Sequence, residues 1–228
     1  MARIQSPPWT PSTPVRSVIF DLDGTLVDVA AAVVRCLGEL IRTAKASVAP
    51  QEIRAVVQRH PNARHALASW THRQISIRGG VAPPVEAIVR ALAHVDTVVQ
   101  PDDRVVAAVS AVAASHRVAL VTNGRSKLQR AKLRAAGIAD LFRADLILVS
   151  GELGLRKPDP RIFQLALDRL GEPAAAAMFV GNDEREDIEG ALALGMFTCR
   201  VGQAGVPSKA DVRIQHVSAL MGVLSCAT

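Results

Sequence analysis

"VIFDLDGTLVD", Val18–Asp28, decides how this chain reads. An apolar run rich in β-branched residues ends in two carboxylates, Asp21 and Asp23, with one residue between them. In an extended chain, side chains two positions apart point the same way. Like charges held that close repel, and burying them adds a desolvation cost. A divalent cation shared by the two acids removes the repulsion. An EF-hand is excluded as the cation site, because the last position of its twelve-residue loop needs an acid and here holds Ala32. Taken alone, the stretch also reads as an Asp-Gly turn with incidental acids.

Outward from this stretch, the chain divides by periodicity. Val15–Phe20 reads as a buried strand. A long stretch with helical spacing follows, with helices expected over Val29–Lys45, Pro50–His60, Asn62–Ile77 and Pro83–His94. Beyond "VDTVVQPDD" strands and helices alternate: helix Asp102–Ser115, strand Val118–Val121, helix Lys127–Ala136, strand Leu146–Val149, helix Pro160–Leu170, strand Met178–Val180, helix Asp187–Leu194 and strands Phe197–Val201 and Val212–Val217. Alternation of this kind implies right-handed crossovers and a doubly wound parallel α/β sheet. The expected organisation is a loose, Pro-rich tail over 1–14, an α/β core over 15–28 and 98–228, and an all-helical insertion over 29–97. The apolar end "SALMGVLSCAT" is expected to pack on the core or on a neighbour.

The 228 residues are 49% hydrophobic and 21% charged, a globular composition with ample core. Aromatics are 3%, so the core rests on Ala, Val, Leu and Ile. The net charge of +6 comes from scattered arginines, without a basic stripe and interleaved aromatics. That argues against a dedicated nucleic-acid module. Cys36, Cys199 and Cys226 lie far apart with no CxxC pair, so neither a disulfide framework nor a zinc site is expected. No apolar run reaches about 18 residues and no signal-peptide core is visible, so the expectation is a cytoplasmic protein with no membrane span.

Three further stretches stand where the sheet would expose them. Thr122-Asn123-Gly124 follows a strand, and a hydroxyl with free backbone N–H groups suits a phosphate oxygen. It also reads as an ordinary turn. Lys157-Pro158-Asp159-Pro160 carries an ammonium before two prolines that open a helix. It suits a phosphate and the acid cluster, and equally a solvated surface. "GNDEREDIEG", Gly181–Gly190, holds Asn182, Asp183 and Asp187. The plain reading of its acids is a favourable first helical turn.

In order and setting, "DLDGT", "TNG", "KPDP" and "GNDEREDIEG" resemble the four motifs of the haloacid dehalogenase-like (HAD) hydrolase superfamily, across Asp21–Gly190. The helical insertion resembles that family's C1-type cap, placed on a Rossmann-like core. The resemblance implies a Mg²⁺-dependent phosphatase acting on a small phosphorylated metabolite. Asp21 would attack phosphorus to form an aspartyl phosphate. Asp23 would protonate the leaving alcohol and then deprotonate water. Thr122 and Lys157 would hold the phosphoryl oxygens, with Asn123 helping through its backbone. Mg²⁺ would be held by an Asp21 carboxylate oxygen, the Asp23 backbone carbonyl and an acid of the fourth motif.

The fourth motif departs from the family's Gly-Asp-Ser. Asp183 is expected as the ligand because Mg²⁺ prefers a charged oxygen. Asn182 is the alternative, and Asp187 would stand behind the ligands, orienting Lys157 or a metal-bound water. Dehalogenases of the same family need no leaving-group acid or Mg²⁺, so Asp23 argues against them. A sugar phosphomutase, which shares all four motifs, and a catalytically weak binding or regulatory homologue stay open. Trp70, His72, Arg73 and Arg78 in the insertion are the candidates for substrate specificity.

Overall fold

The structure is a computed structural model and describes residues 14–60 and 63–226. Apart from Pro14, the tail expected over 1–14 lies outside the described residues. Among them, six strands form one parallel sheet: β1 Ser17–Phe20, β2 Arg117–Thr122, β3 Ile147–Val149, β4 Ala177–Gly181, β5 Phe197–Val201 and β6 Val212–Ile214. Their order is β3-β2-β1-β4-β5-β6. The chain winds one way from β1 to β3 and the other way from β4 to β6. The winding therefore switches between β1 and β4, and ligands of open α/β sheets bind at the carboxyl edge of such a point.

Ten helices accompany the sheet among the described residues. Before β2 come α1 Val29–Thr43, α2 Pro50–Arg59, α3 Arg64–Ile77, α4 Val85–Leu92 and α5 Asp103–Ala113. After it come α6 Ser126–Ala135, α7 Ser150–Leu153, α8 Pro160–Leu170, α9 Gly190–Leu192 and α10 Leu220–Leu224. The described residues form two compact units, one of residues 14–27 together with 101–226, the other the helical stretch within Asp28–Gln100.

In the α/β unit β1 is apolar on both faces because both are covered, as parallel sheets require. One face sets Ile19, Val121, Leu148 and Phe179 against Ile162, Phe163, Ala166 and Leu167 of α8. The sequence starts and stops α8 cleanly. Asp159 caps it by accepting from the Arg161 N–H at 3.0 Å, Pro160 occupies its first turn, and Gly171 leaves it at φ 66°. In the helical unit, Asp28 caps α1 by accepting from the Ala31 N–H at 2.8 Å. Leu37 and Ile41 of α1, Val57 of α2, Ile75 of α3 and Ile88 of α4 are buried.

Three stretches add detail that the sequence reading lacks. "SGEL" forms the single-turn helix α7, too short to show a period. The apolar C-terminal stretch contains α10, which buries Leu220 and Leu224. The helix expected over Asp187–Leu194 begins earlier, as a widened π turn over Glu184–Glu189 followed by α9. In that turn the Ile188 N–H reaches back five residues to the Asp183 carbonyl at 3.2 Å. Such wide turns concentrate at functional sites.

Phe163 meets Phe179 edge-on at 5.1 Å between centroids, and both are fully buried. Phe163→Ala is expected to cost about 3–5 kcal/mol of stability. Urea denaturation checks this, and a loss under about 1 kcal/mol would place the core elsewhere.

Candidate active site

The carboxyl edge beside the switch point gathers the charged groups. Asp21 directly follows β1, its N–H held by the Val180 carbonyl at 2.9 Å. Lys157 reaches the same place from the loop before α8. Its Nζ donates to Asp21 Oδ1 and to Asp187 Oδ1, each at 2.6 Å, and lies 5.4 Å from the centroid of the Phe179 ring. Lys157 is 1% exposed. Burial alone would lower the pKa of this ammonium, but Asp21 and Asp187 outweigh it and hold the group above its ordinary value. It therefore stays charged.

Asp187 receives more than the lysine. Its Oδ2 accepts the backbone N–H groups of Asn182 and Asp183 at 3.0 and 2.9 Å. The wide turn brings the carboxylate under the end of β4, where a Cβ on Gly181 would collide with it. Glycine at the end of β4 is thus required by close approach. Burial, opposed by Lys157 and reinforced by Asp187 and Asp23, pushes the Asp21 carboxyl up to about 7.

Asp183 caps the turn that it precedes. Its Oδ1 accepts the N–H groups of Arg185 and Glu186 at 3.0 and 2.7 Å, so the side chain caps the wide turn, and the residue is exposed. Asn182 is linked to Asp21 through Thr25. Thr25 Oγ1 lies 3.2 Å from both Asp21 Oδ2 and Asn182 Oδ1. Gly24, at φ +87°, lets Asn182 approach; a Cβ there would come within 2.6 Å of the amide nitrogen. Helix capping occupies the Asp183 carboxylate, whereas Oδ1 of Asn182, the alternative ligand, lies against the Thr25 hydroxyl that also meets Asp21.

Among the described residues no three His, Cys, Asp or Glu side chains gather as a metal cage. The donors that do converge are oxygens of one carboxylate and one amide. They suit a hard cation such as Mg²⁺ in kind, with less negative charge than two carboxylates would give.

Asn123 contributes its side chain, where the sequence suggested its backbone. Its Oδ1 accepts the Lys157 N–H at 2.9 Å, and its Nδ2 donates to the Lys157 carbonyl at 3.0 Å and to Glu186 Oε2 at 2.8 Å. Thr122 is fully buried at the end of β2, and its Oγ1 accepts from Gln129 Nε2 at 2.6 Å. Asp23, whose side chain is 34% exposed, binds Lys132 Nζ through both oxygens, at 2.8 and 2.7 Å. Gln129 Nε2 adds a bond to Asp23 Oδ2 at 3.0 Å.

Sequence reasoning missed Gln129 and Lys132. The available signal was a Gln and a Lys three apart on the face of α6 that also buries Leu133, where apolar residues are the rule.

The four specificity candidates all lie in the helical unit. Trp70 is half-buried beside Glu52, Arg59 and His60. His72 Nδ1 donates to the Pro83 carbonyl at 2.7 Å, which leaves Nε2 as the free nitrogen. Arg78 pairs with Glu52 at 3.1 Å, and Arg73 is exposed.

An α/β enzyme with its charged groups collected at the switch point is the class that fold and site define. A family model described as haloacid dehalogenase-like hydrolase matches residues 15–195, and the chain belongs to that family. It is 34% identical over 132 residues to pyrimidine 5'-nucleotidase YjjG of Escherichia coli, a match covering 58% of this chain and 55% of that protein. It is 33% identical over 97 residues to (S)-2-haloacid dehalogenase 1 of a Pseudomonas species, covering 42% of this chain and 41% of that one. The chain thus matches about half the length or less of these two relatives. In fold it is similar to the HAD-hydrolase YfnB of Bacillus subtilis, solved with magnesium bound. That similarity has a TM-score of 0.69 at 20% identity, over 93% of this chain and 99% of that one.

The folded-state pKa of Asp21 lies above its ordinary 3.8, so the native state favours the protonated carboxyl. The penalty for ionising it is absent below about pH 4, grows as pH rises and is complete above about pH 7. Metal-free Asp21→Asn is therefore expected to melt above wild type at about pH 8, with the gap closing towards about pH 4. Thermal denaturation in EDTA measures the gap. An equal gap at both pH values would remove the assignment.

Proposed function

We propose that this chain is a Mg²⁺-dependent phosphatase that hydrolyses a small phosphorylated metabolite through an aspartyl phosphate on Asp21. The observation that carries the reading is the pairing of a buried Asp21, flanked by Lys157, with a second carboxylate, Asp23, two residues on. Dehalogenation has no use for that second acid.

In this reading Asp21 attacks phosphorus, and the ester oxygen leaves. Asp23 gives that oxygen its proton and later takes one from the water that releases phosphate. Lys157 and the Thr122 hydroxyl hold the phosphoryl oxygens. Gln129 donates to Thr122 Oγ1, so the hydroxyl's own proton is left to point at substrate. Asn123 fixes the backbone from which Lys157 projects, and Asp187 holds its ammonium. Asp21 Oδ2, the Asp23 carbonyl and Asn182 Oδ1 would hold Mg²⁺. When bound, the ion would neutralise charge on the transferring phosphoryl group.

The helical unit, roughly residues 29–97, is read as the cap that selects substrate and excludes water. Of the two exposed arginines among its candidates, Arg78 pairs with Glu52, and Arg73 is the one suited to a second anionic group. A nucleotidase among the relatives agrees in reaction class and leaves the substrate to a screen of phosphorylated metabolites.

Wild type is expected to hydrolyse p-nitrophenyl phosphate with Mg²⁺ and to stop in EDTA, while Asp21→Asn falls to background. Full activity in that variant, or none in wild type, refutes the reading. Chloride release from a 2-chloroalkanoate without Mg²⁺ would favour the dehalogenase instead. For the metal, Asn182→Asp is expected to lower the Mg²⁺ concentration for half-maximal thermal stabilisation by about tenfold, since added ligand charge tightens hard-cation sites. An unchanged midpoint would take Asn182 out of the ligand set.

A further inference from the structure

The face of α6 turned inward is chemically odd. It buries Gln129 at 1% exposure and Lys132 at 4%, next to Leu133 at 1%. Burying an ammonium costs several kcal/mol unless a good partner recovers it. Among the described residues Lys132 pairs with Asp23, met through both oxygens. Asp23 itself is partly exposed, on the tight turn where the Gly24 N–H closes on the Val27 carbonyl at 2.8 Å. An untethered carboxylate at such a place rotates into solvent.

Gln129 has a fixed orientation. Its Nε2 faces Asp23 Oδ2, Thr122 Oγ1 and the Asn123 carbonyl at 3.0, 2.6 and 3.1 Å. Turning the amide over would set its oxygen against a carboxylate and a carbonyl, so the donor assignment follows from the neighbours. One turn of α6 thereby ties the residue read as the proton carrier to the residue read as a phosphoryl holder.

We propose that Lys132 and Gln129 are positioning residues for leaving-group protonation, Lys132 fixing where the Asp23 carboxylate stands and Gln129 setting its distance from Thr122. Neither touches substrate. The inference rests on the phosphatase reading, with Asp23 as the group that meets the departing oxygen.

Leaving-group basicity separates this role from a merely structural ion pair. An alkyl alcohol departs poorly without a proton, whereas p-nitrophenolate departs unaided. Lys132→Met is therefore expected to lose about 10²-fold in kcat/KM on an alkyl phosphate such as glycerol phosphate, the scale of a general acid's contribution. On p-nitrophenyl phosphate kcat/KM should fall little, because that ratio ends at departure of the leaving group and leaves out the water step both substrates share. Lys132→Arg, which restores a forked donor, should recover most of the alkyl activity. Lys132→Gln keeps a single donor and covers the case in which the methionine variant does not fold; the same selective loss is expected.

Equal losses on both substrates, in variants whose circular dichroism and melting match wild type, would overturn the proposal and leave the phosphatase reading intact. Wild type inactive on both substrates would instead remove that reading, and this inference with it.

Discussion

A buried ammonium between two buried carboxylates is the constraint on which the remainder of the site depends. Lys157 joins three parts of the chain at one point: the end of β1 through Asp21, the turn after β4 through Asp187, and the loop before α8 from which it projects. None of the three groups is tolerable there alone. An unpaired lysine would be driven neutral, and burial already pushes the Asp21 carboxyl up. Together they hold the carboxyl edge of the sheet at the switch point. The backbone around them is shaped to allow it, with glycine where Asp187 passes under β4 and an asparagine side chain gripping both polar groups of Lys157.

The site has two charge clusters rather than one. Lys157 serves Asp21 and Asp187, while Lys132 serves Asp23. The acids Asp21 and Asp23 that first look like a single repelling pair each meet a different lysine. Asp21 still keeps a raised pKa, because burial outweighs what one shared lysine offers. That residual imbalance suits a site open to one further positive charge.

Much of the architecture was legible because it rests on local signals. β1 announces itself as an apolar run, and α8 carries its cap, its proline and its terminal glycine in the sequence. The alternation of strands and helices suffices for the doubly wound sheet, and three of the four site stretches fall at strand ends, while the Lys157 stretch opens α8. What was not legible depends on geometry that has no period. Asp183 and Asn182 are adjacent, and only the wide turn, which Asp183 caps, tells their side chains apart. Lys132 and Gln129 are ordinary surface types by composition, and their burial follows from what α6 packs against. Asn123 looked like a turn residue, whereas its amide is a clamp for a segment 34 residues away.

The wide turn over Glu184–Glu189 has a consequence for how the segment can vary. Its extra residue per turn is what brings Asp187 beneath β4, whereas Arg185 faces solvent. Composition on the outer side is therefore free to drift, while length is not. Removing one residue would leave a smoother helix and a continuous chain, yet rotate Asp187 by roughly 100° away from Lys157. The segment behaves as a ruler, in which the count of residues carries the information and most of their identities do not.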